Sequence, residues 1–344
     1  STLIGCGVTK QQTTPSYTVN LNQGWKFTRV APDNFDAIDN SDVIEGQWQK
    51  VSLPHTPKIE PMVVNDQWQG IAWYQKTINA ETSWQGKKLF IRFEAAMSYA
   101  EIWLNDEKIG EHLGGYLPFT FEVSDTLKIG AANILKIKLN NQDNPNIGPK
   151  PLEKLDFNTY GGLYRDVNLL VKNPLYITDE MHANKVASGG VFVSYSKVNV
   201  EESVVDIKTH IANDFTENKN FSIKQKLYFA DQLIAQTKDG TFTVNANSDQ
   251  QFSQQLVVND AKLWSPSTPN LYMLSSEIYH DNELVDQKET RIGIRKFEFN
   301  EKHQLLINGE ITFLRGVNRH QEYPHVGYAT SAQADYRDAV KIKS

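Results

Sequence analysis

The stretch SYAEIWLND, residues 98–106, alternates strictly. Tyr99, Glu101, Trp103 and Asn105 fall on one face, and Ala100, Ile102 and Leu104 on the other. A period of two is that of a half-buried β-strand and does not fit a helix. ANILKIKLN (132–140) repeats the pattern, with Ile134, Lys136 and Lys138 opposite Leu135, Ile137 and Leu139, and KKLFIRFEA (87–95) is a third such run. The glycine pairs Gly114–Gly115 and Gly161–Gly162 are expected at tight turns, and no long amphipathic helix interrupts the series. Short strands at regular spacing from residue 16 to 172 predict a β-sandwich.

VKNPLYI (171–177) supplies a proline-bearing joint into a second strand-rich block. Six runs read as strands there: GVFVSYSKV (190–198), SVVDIKTHIAND (203–214), FSIKQKLYFAD (221–231), QQFSQQLVV (250–258), YMLSSEIYH (272–280) and QKETRIGIR (287–295). That density over 173–293 fits an immunoglobulin-like sandwich. The antibody-type cysteines and core Trp are absent, so antibody kinship is not implied.

After Ile294 the pattern changes. Apolar runs flank Asn308–Gly309 in QLLINGEITFLRGVN, a strong two-residue hairpin signal. TFLRGVN then reads as a strand running into a loop at 319–330. A helix is expected after Ser331, with Tyr336, Ala339 and Val340 at helical spacing. One strand–loop–helix unit needs parallel neighbours, and a (β/α)8 barrel takes ~250 residues. Residues 294–344 are therefore expected to be the truncated start of a TIM barrel.

The net charge of −6 without a long basic run argues against a nucleic-acid partner. Aromatics at 11% suit a protein that stacks on sugar rings and equally suit an all-β core. Cys6 is the single cysteine, so no internal disulfide framework exists. Its setting, TLIGCG followed by the polar VTKQQTTPS, is similar to a bacterial lipoprotein cleavage box with a tether. The other reading is a signal remnant or loose end over residues 1–15. A lipidated Cys6 would put the protein in the bacterial cell envelope, as a periplasmic or surface lipoprotein. No window is apolar enough for a spanning helix.

Seven ordered segments resemble glycoside hydrolase family 2, the β-galactosidase and β-glucuronidase family. They are LNQGWKF (21–27), WQKVSLPHTP (48–57), GIAWYQKT (70–77), FEAAMSYAEIWLNDEKIGEHLGGYLPFTFEVSDTL (93–127), YGGLYRDVNLL (160–170), LWSPSTPNLY (263–272) and LLINGEITFLRGVNRHQ (305–321). The resemblance implies a jelly-roll-like galactose-binding sandwich, an immunoglobulin-like sandwich and the opening of a catalytic barrel. It also implies a retaining, exo-acting hydrolase of terminal β-linked sugars. One Glu protonates the leaving oxygen and a second attacks the anomeric carbon, with carboxyls ~5–5.5 Å apart. In the family both lie on later barrel strands, the first in an Asn-Glu pair. The pair Asn282–Glu283 here falls in the second sandwich, so the catalytic glutamates are expected beyond residue 344 and the 344-residue piece is expected to be inactive.

The resemblance assigns His320 of Asn318–Arg319–His320 to the sugar pocket; its other reading is a cap on a strand end. Arg319 either joins the pocket or braces the loop through carboxylates. His325 stands where several β-galactosidases carry a different sequence and is a weaker pocket residue. Asp156, nine residues before Arg165, matches a family aspartate that touches the sugar and a nearby cation; its other reading is a turn residue. Asp166 is expected to be structural, pairing with backbone or Arg. His320, His325 and Glu322 are of metal-ligand type, though no metal site is expected among these residues. The resemblance calls for no cofactor in this piece and leaves room for Mg or Na in the whole enzyme. Asn-Arg-His with Asp156 favours a β-galactoside; a β-glucuronidase would carry Lys at position 319. A non-catalytic carbohydrate-binding module is the alternative of another class. The expected partner is a β-linked oligosaccharide or glycoside.

Overall fold

The computed structural model describes residues 14–29, 48–59, 67–148, 155 and 157–344. They form two compact units. Of these described residues, one unit comprises 14–17 with 172–315, and the other those within 18–171 with 316–344.

In the unit of 18–171 and 316–344, two sheets of six and four strands share one core. Ile71–Asn79, Ala132–Asn140 and Tyr99–Leu104 lie side by side inside the six-stranded sheet, paired antiparallel. Alternation decides which face goes inward. Ala100, Ile102, Leu104, Leu135 and Ile137 are fully buried, while Glu101, Lys136 and Lys138 are half-buried on the outer face, where Lys138 lies 3.2 Å from Glu101 and Lys136 lies 2.7 Å from Asp106. The four-stranded sheet runs Tyr17–Asn20, Val167–Lys172, Lys88–Phe93, Phe119–Glu122. It contributes Leu89, Ile91, Phe93, Val167 and Leu169 to the same core. Each such side chain contributes about 1.5–3 kcal/mol by leaving water. Gly162 is not at a hairpin turn. It bridges to Met97, with φ at +105°, and a Cβ there would come within 2.5 Å of the His55 carbonyl oxygen. Close backbone approach is what requires glycine here.

The unit of 172–315 is a second sandwich. Glu202–Asn213 pairs with Ser248–Asn259 along its whole length and with Val191–Lys197 on the other side. Lys219–Phe229, Tyr272–His280 and Glu283–Ile292 form the body of the facing sheet. The expected strands are all present. Its interior has a polar layer. Thr209, Gln225 and Ser276 are fully buried. Gln225 Nε2 donates to Thr209 Oγ1 at 2.9 Å, and Ser276 Oγ donates to Gln225 Oε1 at 2.6 Å. These bonds satisfy groups whose burial unpaired would be strongly unfavourable. The layer separates an apolar cluster around Ile207, Leu227 and Leu274 from one around Ile211, Ile223 and Ile278.

The Asn308–Gly309 hairpin forms as expected. Ile307 pairs with Glu310, and both turn residues have positive φ, 54° and 86°. The strand expected at 312–318 does not form; residues 312–322 are irregular. A barrel strand takes its hydrogen bonds from parallel neighbours, and no described strand lies alongside to supply them. The helix does form, over Ala332–Lys343, with Ser331 Oγ accepting from the Ala334 N–H at 3.2 Å. Tyr336, Val340 and Ile342 on it are exposed.

Candidate functional site

The site is built where residues 316–330 return to the unit of the first sandwich. Tyr328 is the plug. Its ring is 2% exposed and packs 5.4 Å from Tyr160 and 5.5 Å from Tyr164, beside Met97 and Ala95. Burial pushes the Tyr164 phenol up to about 12 and Tyr328 higher still. Both remain neutral donors, Tyr164 to the Gly115 carbonyl and Tyr328 to the Asn158 carbonyl at 2.6 Å. Gly327 precedes the plug in the left-handed region at φ +57°, where a Cβ would come 2.9 Å from Tyr160 and 3.0 Å from Thr56. The Thr56 hydroxyl donates to the Val326 carbonyl at 2.9 Å.

Arg165 ties the loop down from the other side. Its Nη1 donates to the carbonyls of Tyr164 at 3.0 Å and Tyr328 at 3.1 Å, and its Nη2 to Gln321 Oε1 at 3.3 Å. Its guanidinium carbon sits 4.9 Å above the Tyr164 ring. Arg319 binds the helix Ala332–Lys343, with Nε 2.7 Å from Asp338 Oδ2 and Nη2 2.8 Å from Asp335 Oδ1. Tyr323 donates to the other oxygen of Asp338, and these bonds hold that carboxyl below its ordinary range.

The loop and the sandwich enclose an open cavity of about 700 Å3, walled by Tyr116, Phe157, Asn158, Tyr328 and residues 317–322. His320 is exposed in that wall, its ring 5.3 Å from Phe157. Asn158 Nδ2 reaches toward Glu322 at 3.5 Å. The wall thus offers aromatic faces beside imidazole, amide and carboxylate groups. A sugar needs both kinds of contact, because its ring is apolar on its faces and its hydroxyls donate and accept at the rim.

Of the expected residues, His320 is in the wall. Arg319 is there too, but its guanidinium is engaged as a brace. His325 is not brought to the cavity. It lies in the tight turn closed by Tyr323 N–H to the Gly327 carbonyl at 3.1 Å, with φ at 72°, and is exposed outside the wall. Asp156 and Cys6 lie outside the described residues. Asp166 is exposed; its carboxylate accepts from the Asn22 side-chain amide at 2.8 Å and its carbonyl from the Glu94 backbone N–H at 3.0 Å, with no Arg partner among the described residues. Phe157, Asn158, Tyr116 and Tyr328 were not foreseen; the GGY run at 114–116 and the neighbour of Asp156 were the available signals. Among the described residues no group of three His, Cys, Asp or Glu side chains could hold a metal ion. Glu322, the carboxylate in this wall, does not by itself make a hard-cation site.

The same fold occurs in solved glycosidases. The crystal structure of Bacteroides uniformis β-glucuronidase matches with a TM-score of 0.82 and 27% identity, covering 95% of this chain and 38% of that one. Two family models match in order: "Glycosyl hydrolases family 2, sugar binding domain" over residues 19–174 and "Glycosyl hydrolases family 2" over 187–295. The chain belongs to glycosyl hydrolase family 2 and corresponds to the N-terminal part of its members. A β-galactosidase of Thermoanaerobacter pseudethanolicus is 28% identical over 94% of this chain and 42% of its own length. A β-glucuronidase of Bacteroides fragilis is 29% identical over 94% of this chain and 44% of its own. The chain thus spans less than half the length of these relatives.

Proposed function

We propose that the protein is a retaining, exo-acting hydrolase of terminal β-galactosides, with its acid and nucleophile carboxylates outside these 344 residues. The carrying observation is the cavity at 316–330, where His320 stands against Phe157 at 5.3 Å and amide groups fill the rim. Charge supports a neutral sugar. A uronate substrate needs a cation for its carboxylate. Arg319 is neutralised by Asp335 and Asp338, and Glu322 adds a negative charge to the wall. His320, when neutral, offers one donor and one acceptor to adjacent hydroxyls. Such contacts raise the rate only if they strengthen in the transition state. The second reading is a β-glucuronidase, favoured by the name of the Bacteroides fragilis relative.

The test compares full-length enzyme and the 344-residue chain on aryl β-galactoside and aryl β-glucuronide. The expected result is galactoside turnover by the full-length enzyme and none by the shorter chain. A retaining mechanism needs both carboxylates, so turnover by the 344-residue chain would overturn their placement outside it. Preference for the glucuronide would overturn the choice of sugar. The same reading anchors the protein in the bacterial envelope through Cys6.

A further inference from the structure

His320 is exposed, and its ring meets Phe157 rather than a rigid polar partner. Its place is set through its two neighbours in sequence. On one side Arg319 is pinned to Asp335 and Asp338 of the terminal helix at 2.8 and 2.7 Å. On the other, Gln321 accepts from Arg165 Nη2 at 3.3 Å. The same guanidinium donates through Nη1 to the carbonyl of Tyr328, at the far end of the loop, at 3.1 Å. One planar group therefore holds residues 321 and 328 together, directly ahead of strand Val167–Lys172. Every partner just named for Arg165 is neutral, and its charge rests over the Tyr164 ring at 4.9 Å. An arginine held by carbonyls, an amide oxygen and a ring makes no ion pair through these contacts. Its fork is spent on geometry.

We propose that Arg165 is a positioning residue for His320, a reading that rests on the assignment of His320 to the sugar pocket above. Arg165 does not touch substrate. It fixes the loop from which His320 reaches the sugar. Lysine cannot replace it, because an ammonium is a compact charge on a flexible stem and does not span two acceptors at fixed angles. Displacement of a substrate-contacting group by about 1 Å is enough to lower a rate roughly 10²-fold.

The test is a double-mutant cycle in the full-length enzyme on the aryl β-galactoside. Arg165→Lys should lower kcat roughly 10–100-fold, with KM changed less than about threefold if the contact is made in the transition state. In a His320→Ala background the same substitution should change kcat by less than about threefold, because the group it positions is gone. Gln321→Ala removes one acceptor and leaves Arg165 in place. It should give a smaller loss, again absent in the His320→Ala background, and it serves where Arg165→Lys folds poorly. Losses that multiply across the cycle, or full activity in Arg165→Lys, would overturn the proposal. A wild-type enzyme that spares the galactoside defeats the choice of sugar instead, and the cycle is then read on the aryl glycoside it does cleave.

Discussion

His55 should make the first sandwich acid-sensitive. Its Nδ1 lies 2.8 Å from Tyr74 Oη, and its ring packs 4.5 Å from Phe27. Tyr74 is fully buried, which pushes its phenol far up, and the Leu163 backbone N–H bonds to it. The phenol therefore donates its proton to Nδ1, which must accept and stay unprotonated. Burial lowers His55 from 6.5 to about 4. The unfolded chain takes up this proton near pH 6.5 and the folded chain only near 4. Stability is then whole above pH 6.5 and is lost as pH falls toward 4. At about 1.4 kcal/mol per tenfold change in proton affinity, the ceiling is about 3 kcal/mol. Roughly 2–2.5 kcal/mol of it should be lost between pH 7 and 4.5. Urea unfolding followed by tryptophan fluorescence is the assay. Six of the seven tryptophans, all but Trp264, lie in the segment 18–171, so the signal reports that unit. His55→Asn keeps an acceptor near the Nδ1 position and cannot ionise. Its stability should fall less than wild type over this range, by that 2–2.5 kcal/mol. Equal pH dependence in the two proteins would refute the reasoning.

In the full-length enzyme, His320→Ala should lower kcat and kcat/KM together by roughly 10²–10³, about 2–4 kcal/mol, as for the loss of a transition-state hydrogen bond; a change in KM alone would show ground-state binding only. Asp286 is fully buried, pairs with Lys172 at 3.1 Å and accepts from the Ile177 N–H at 2.7 Å. Asp286→Ala should destabilise the second sandwich by about 3–5 kcal/mol, since it strands a half-buried cation and a backbone donor; calorimetry of that transition is the check. Mass spectrometry of the membrane fraction should find a diacylglyceryl Cys6 as the N-terminus; an unmodified chain starting elsewhere rules the anchor out.

The strands were legible because their outward positions carry charge and their inward positions carry Leu and Ile, as at Lys136, Lys138, Leu135, Ile137 and Leu139 of Ala132–Asn140. The polar layer of the second sandwich was not. Thr209, Gln225 and Ser276 point inward, yet composition alone reads them as surface residues, and only their mutual hydrogen bonds explain them. The run at 312–318 is irregular because no parallel neighbour for a barrel strand lies among the described residues, a requirement its own apolar pattern does not reveal. His320 was reached through a motif, and Arg319's brace was one of two readings left open because its carboxylates lie more than a dozen residues further on. Tyr328 and Arg165 meet across 163 residues, a pairing that local pattern does not reveal.

That pairing also sets a schedule. The tyrosine-lined seat for residue 328 is complete in sequence once residue 171 has been made, but residues 172–315 must be synthesised before the plug exists. At about 5–20 residues per second, the interval is roughly seven to thirty seconds. During it Tyr160 and Tyr164, both buried in the finished unit, lack their cover. A ribosome stalled within the second sandwich would therefore carry these tyrosines uncovered, an aromatic surface for chaperones to bind and a hazard in their absence.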